Sequence, residues 1–162
     1  MRLTPFGSDH ESPEQRSRQL LTDGPSLNVV VSRLRSTRTN ELAPTHHVAR
    51  RNALALIDSG ASVNCIDVGL AGRIGLLEVD TRAIASASGL GPAPVYLARL
   101  EVPELDFTLT GELFGARLAQ QNRGHRLLLG RRFLQNFIFQ YDSLDGRFYL
   151  GRPDYASPSD MA

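Results

Sequence analysis

The chain has 162 residues, of which 41% are hydrophobic, with a net charge of +1 and a single cysteine. That length and apolar content suit one compact domain with a real core rather than a disordered polymer. One cysteine excludes an internal disulfide or a multi-cysteine metal site. The small net charge gives no argument for a nucleic-acid or membrane partner. All 18 basic residues are Arg, so a lysine nucleophile or Schiff base is excluded.

Residues 1–26 are rich in Ser, Pro, Asp, Glu, Gln and Arg, interrupted by the apolar pair Leu20-Leu21; they read as a flexible arm, open to removal as a pro-segment. A folded domain is expected over 27–150, and a tail over 151–162 with Pro153 and Pro158. Within the domain, Leu27–Leu34 is a β-branched run that predicts a strand. His46–Ile57 predicts a second strand, and Ser62–Ile66 a short third. Asp67 then reads as the N-cap of one or two helical turns that stop at Gly75. Leu76–Ala87 and the alternating Val95–Val102 predict the two arms of a hairpin. Its turn is Ser88-Gly89-Leu90-Gly91-Pro92, with Pro94 close behind. Leu105–Leu118 holds one or two more strands. Arg126–Leu129 is a short apolar strand ending at Gly130, and Arg131–Asn136 a short helix. Ile138–Tyr141 and Arg147–Leu150 flank the hairpin signal Asp142-Ser143-Leu144-Asp145-Gly146. Many short strands with little helix predict an all-β, barrel-like domain. No run approaches the ~18 apolar residues of a membrane span. The polar N-terminal stretch lacks a hydrophobic signal region, so a soluble cytoplasmic protein is expected.

Chemistry concentrates at Leu54-Ala55-Leu56-Ile57-Asp58-Ser59-Gly60-Ala61-Ser62. An apolar run delivers one carboxylate, then a hydroxyl, then a glycine that permits a tight turn. A charge beside buried apolar surface is costly unless groups are arranged around it, which makes Asp58 the first candidate. Cys65, in the apolar stretch Val63–Val68, reads as a small buried core residue.

The triplet alone is a weak signal. Combined with the downstream glycine hairpin and with Leu127-Leu128-Leu129-Gly130-Arg131 entering a helix, the order resembles the retropepsin-like aspartic proteases. That family includes the retroviral proteases and single-domain bacterial relatives. The resemblance covers residues 27–150 and implies a small closed barrel with one short C-terminal helix, acting as a homodimer on a peptide or protein substrate. It implies a catalytic Asp58 from each copy and no metal or cofactor. One triplet per chain agrees with this, because a two-fold axis puts the same residue twice into one site. Also implied are a Ser59 hydroxyl that joins the two turns and a close backbone approach at Gly60. Ala61 and Ser62 would offer backbone groups to an extended peptide. Leu56 and Leu128 would line the pocket, Gly89, Leu90 and Gly91 would form a flap, and Gly130 and Arg131 would support the site. Strands near Phe148–Leu150 would supply the dimer sheet. Retroviral members carry an acid where this chain has Ser62, so Arg131 lacks its expected partner. Asp67, the tail or the second copy could serve instead.

Blander readings stand beside these. Asp58 can be an ordinary turn residue, Gly89 and Gly91 a plain hairpin turn, and Arg131-Arg132 a solvated helix start. Adjacent His46 and His47 point to opposite faces of a strand, a poor metal arrangement. Arg33, Arg35, Arg38, Arg50 and Arg51 can form a local basic patch, but acidic residues cancel it globally. A second reading of the whole chain is a dimer of the same fold that binds peptides with little or no cleavage.

Overall fold

A computed structural model describes residues 3–34, 49–86, 89–121 and 124–153. His46, His47, Arg35, Arg38 and the tail from 154 onward lie outside the described residues.

In chain order the elements are β1 (Leu3–Phe6), α1 (Pro13–Asp23), β2 (Ser26–Ser32), β3 (Arg50–Ile57), β4 (Cys65–Asp67) and α2 (Val68–Ile74). They continue with β5 (Glu78–Ser86), β6 (Gly89–Val102), β7 (Phe107–Ala116), β8 (Leu127–Leu129), α3 (Arg131–Leu134), β9 (Ile138–Asp142) and β10 (Arg147–Gly151). The larger sheet runs β2-β3-β8-β4-β7-β6-β5, and an added β2–β6 pairing, Val31 opposite Leu100, closes six of these strands into a barrel. A second sheet runs β1-β10-β9. The expected small closed barrel with a short helix after β8 is therefore present.

The core follows from strand alternation. Leu27, Val29 and Val31 of β2 and Ala53, Ala55 and Ile57 of β3 are buried at every second position, as a strand covering one side of a core requires. Strand β6 uses both faces. Ala98, Leu100 and Val102 point into the main core, whereas Ala93 and Val95, of opposite parity, join a separate cluster with Cys65 and Phe114. Helix α2 starts and stops where its sequence signals lie. The Asp67 side chain accepts from the Leu70 N–H, and Gly75 closes the helix in the left-handed conformation at φ +68°.

The N-terminal segment departs from the flexible arm expected over 1–26. Strand β1 pairs antiparallel with β10, and Phe6 stacks on Phe148 with ring centroids 4.8 Å apart. Ser12 and Gln15 form a reciprocal capping box, with Pro13 in the first turn of α1. Leu20 is buried, and the buried Arg16 donates to the Asp145 carboxylate and to the backbone carbonyls of Asp145 and Glu11. A polar average composition concealed two apolar anchors and one satisfied cation, which suffice to dock the segment.

Candidate active site

Two loops meet at the ends of two parallel neighbours. Strands β3 and β8 pair in parallel, Leu56 opposite Leu128 and Ile57 opposite Leu129. Each therefore ends on the same side of the barrel, β3 in Asp58-Ser59-Gly60 and β8 in Gly130-Arg131. The Asp58 N–H continues the ladder by donating to the Leu129 carbonyl at 3.0 Å.

The Asp58 turn is closed by the Ala61 N–H donating to the Asp58 carbonyl at 3.1 Å. The Asp58 side chain then folds over its own turn: Oδ1 accepts from the Gly60 N–H at 2.9 Å and from the Ala61 N–H at 3.3 Å. The carboxylate is thus half-buried, with one oxygen fixed by backbone dipoles. A Cβ on Gly60 would sit 3.1 Å from that oxygen, so a side chain there would crowd the carboxylate it orients.

The second loop braces the first. Arg131 donates from its backbone N–H to the Ala61 carbonyl at 2.9 Å, and from Nη1 to the Ser59 and Gly60 carbonyls, 3.1 Å each. This supplies the partner left open by Ser62: Arg131 binds the turn's own carbonyls. It does not bind Asp67, whose carboxylate is taken by the N–H groups of Leu70 and Ala119. Gly130 packs so closely that a Cβ would lie 2.3 Å from the Val63 carbonyl oxygen and 2.7 Å from that of Ala61.

Asn64 is the residue that sequence reasoning missed. It is only 2% exposed, and its Oδ1 accepts the Gly130 N–H at 2.9 Å while its carbonyl accepts from Phe114. It joins both loops to β7. The available signal was one amide inside the apolar run Val63-Asn64-Cys65-Ile66, since a polar group buried in such a run needs a partner.

The remaining candidates surround this centre unevenly. Leu128 belongs to the second apolar cluster with Val63, Ile84, Val95 and Phe114. Its register partner Leu56 instead reaches the connection after α1, where its Cδ1 is 2.6 Å from the place a Cβ on Gly24 would take. Ser59 and Ser62 are exposed. Gly89, Leu90 and Gly91 start β6 at the far end of the β5–β6 hairpin, paired with Ser86, Ala85 and Ile84, so they are strand rather than the expected turn, whose Ser88 lies outside the described residues. Leu90 there is 77% exposed. Pro92 and Pro94 lie within β6, opposite Ala83 and Thr81. Burial, and then the Asp58 charge, push the Cys65 thiol up to about 11. It is a core group held neutral, not a nucleophile. No group of three or more His, Cys, Asp or Glu gathers as a metal site among the described residues. None of their helices is long and apolar enough to cross a membrane.

A six-strand barrel in which parallel strands present an Asp-Ser-Gly turn and a Gly-Arg helix start, side by side, decides the architecture. The fold is retropepsin-like. Similar solved structures include the EIAV protease in complex with the inhibitor HBY-793, at 13% identity and TM-score 0.46 over 68% of this chain and 85% of that one. A retropepsin-like aspartic protease from Rickettsia conorii is similar at 18% identity and TM-score 0.45, over 62% of this chain and 81% of that one. The aspartic proteinase of Irpex lacteus is similar at 13% identity and TM-score 0.48, over 98% of this chain and 49% of that one. These are likenesses of fold. No family model and no curated protein matches the chain.

Proposed function

We propose that the chain is an aspartic endopeptidase that acts as a homodimer, with Asp58 of each copy holding one shared water. The observation that carries this reading is the aim of the Asp58 carboxylate. One oxygen is fixed by the N–H groups of Gly60 and Ala61, on a turn braced by Arg131 and Gly130. A solvated turn aspartate has no need of a second loop to brace it.

The chemistry needs two such groups. Close carboxylates cannot both ionise cheaply, so the pair keeps one proton, a property of aspartic-protease dyads in general and not particular to this chain. The ionised member takes a proton from the water as its oxygen bonds to the scissile carbonyl carbon. The protonated member gives its proton to the carbonyl oxygen. On collapse the C–N bond breaks, the amide nitrogen takes the pair's proton, and one hydroxyl of the tetrahedral intermediate returns its proton to the pair as the new carboxyl forms, so the pair again holds one. No metal or cofactor enters these steps.

The other residues act on position. The Ser59 hydroxyl links the two turns across the axis. The N–H and carbonyl of Ala61 already serve the turn and Arg131, so pairing with an extended peptide falls to Ser62 and to the flap backbone at Gly89–Gly91. Leu128, in the apolar cluster with Val63 and Ile84, offers apolar surface to the substrate, whereas Leu56 packs against the connection after α1. The exposed Leu90 end of the hairpin closes over the peptide and excludes water.

Cleavage of a denatured protein, followed from acidic to neutral pH for wild type and Asp58→Asn, tests this reading. Wild type should cleave and the variant should fall to background. Equal inertness of both, with the dimer demonstrated, overturns it in favour of a peptide-binding dimer.

A further inference from the structure

The fold regroups the basic residues that cluster in the sequence. Arg51 stands opposite the core residue Val31, whereas Arg50 stands opposite Ser32, which has the other parity. Opposed residues share a face of the sheet. Strand β6 adds what the sequence run lacks: Arg99 pairs with Ser32 on its other side, and Thr110 of β7 pairs with Arg99. Four neighbouring strands, β3-β2-β6-β7, therefore set Arg50, Ser32, Arg99 and Thr110 in one row on the outer side of the barrel.

This row lines a cavity of about 430 Å³, together with Arg33 and Glu101. The Glu101 carboxylate accepts from Arg50 Nη2 at 2.7 Å and lies 3.1 Å from Arg99 Nε. It thereby ties together the guanidiniums that flank Ser32. Each guanidinium carries five N–H donors, and Glu101 takes one nitrogen of each. The Arg33 side chain has no ion pair or hydrogen bond among the described residues. Three guanidiniums against one carboxylate leave the cavity positive. Ser32 is only 4% exposed, yet its hydroxyl makes no hydrogen bond among the described residues. A buried hydroxyl left unpaired between two cations is a group in want of an acceptor.

We infer that this cavity binds a phosphate group, free or carried on a small molecule, through Arg50, Arg99 and Arg33, with the Ser32 and Thr110 hydroxyls donating to its oxygens. The planar fork of arginine suits phosphate oxygens, and a tetrahedral oxyanion has acceptors enough for several donors at once. No aromatic side chain lines the cavity, so the phosphate is what the site recognises, not a stacked base. Arg50 opens β3 and Asp58 follows its end, which places the two sites roughly 25 Å apart along the strand. The inference needs no activity from Asp58 and stands or falls separately from the protease reading.

Titration calorimetry on the full chain tests it, with inorganic phosphate and glycerol phosphate as probes and chloride holding the ionic strength constant. Wild type should saturate with at least one probe. Arg99→Gln should weaken that binding by roughly tenfold or more, the order of a charge-assisted hydrogen bond. Arg50→Gln gives the same reading from the other side of Ser32 should Arg99→Gln fail to fold. Ser32→Ala should weaken binding by roughly threefold or more, as for a neutral donor. Arg18→Gln, exposed on α1, should change nothing. Inorganic phosphate bound at least as tightly as glycerol phosphate assigns the site to the free ion, and the reverse assigns it to a phosphorylated small molecule. Failure of both probes to saturate overturns the proposal, as does wild-type affinity in the folded Arg99→Gln or Arg50→Gln, or an equal loss in Arg18→Gln. Saturation by a mixed-sequence oligonucleotide, with neither small probe bound, also overturns it in favour of a polyanion surface.

Discussion

Arg131 and Ser59 are far apart in sequence but joined in the fold: the Arg131 Nη1 donates to the Ser59 carbonyl at 3.1 Å, and to that of Gly60 at the same distance. The guanidinium is exposed, so these bonds contribute modestly to stability but constrain the loop that aims Asp58. Arg131→Ala should lower kcat/KM by roughly ten- to a hundredfold, the order expected when a reacting group loses its alignment. The melting temperature should fall only slightly. Arg131→Lys keeps a donor and should recover part of the activity. Kinetics and thermal melts on the same samples separate alignment from folding; equal activity in all three proteins would show that the brace is idle.

Asn64 is a buried bond and behaves differently. Asn64→Leu leaves the Gly130 N–H buried without an acceptor, which costs about 1–3 kcal/mol. Asn64→Asp keeps an oxygen in place and should destabilise through charge burial unless the new carboxyl takes up a proton. Gly130→Ala is harsher, since a Cβ 2.3 Å from the Val63 carbonyl oxygen forces the two loops apart. Urea unfolding midpoints should fall in the order wild type, Asn64→Leu, Gly130→Ala.

The legible parts of this chain were those in which a local signal and the tertiary role coincide. The Asp67 cap and Gly75 stop of α2 and the Asp142–Gly146 turn each carry their geometry in their own residues, whereas the β5–β6 hairpin was legible in its two arms but not in its turn, since Gly89–Pro92 pair with Ser86–Ala83 as strand. The Asp58 turn was legible for the same reason, because glycine and carboxylate are adjacent. Asn64 and the carbonyl contacts of Arg131 were not, because their partners lie on another loop and are fixed only when β3 and β8 pair. The docking of residues 3–23 was hidden by averaging: the Ser12–Gln15 box is local and readable, but the value of Phe6 depends on Phe148 at the other end of the chain.

Cys65 provides a chemical check on the second apolar cluster. Its thiol is pushed up to about 11 by burial and then by the Asp58 charge, above the ordinary 9.0. The folded chain therefore keeps the proton more tightly than the unfolded one. Stability is unaffected by this group below pH 9, and should decline as pH rises from there towards the folded value. Cys65→Ala should flatten that alkaline decline. At pH 8 the thiol should react with a disulfide reagent far more slowly in the native protein than in denaturant. Equal rates would place Cys65 at the surface and remove it from the cluster that holds Leu128.

The N-terminal segment has the opposite pH dependence. Arg16 beside Asp145 holds that carboxyl below its ordinary 3.8, with Arg147 adding to the effect. A carboxylate lowered in the folded state contributes stability above its ordinary value, and that contribution is lost as pH falls below 3.8 through the folded value. Because Arg16 lies on α1 and Asp145 on the β9–β10 turn, the loss should appear first as undocking of α1. Amide exchange in residues 13–23 should accelerate in acid before exchange in β2 and β3 does. Asp145→Asn should show fast α1 exchange already at neutral pH, with little further change on acidification. Removing residues 1–24 also uncovers Phe148 and takes away the buried Phe6 and Leu20, each worth about 1.5–3 kcal/mol when fully buried. The shortened chain should melt well below the full one. If it melts at the same temperature, the segment is a passenger, and the pro-segment expectation regains its ground.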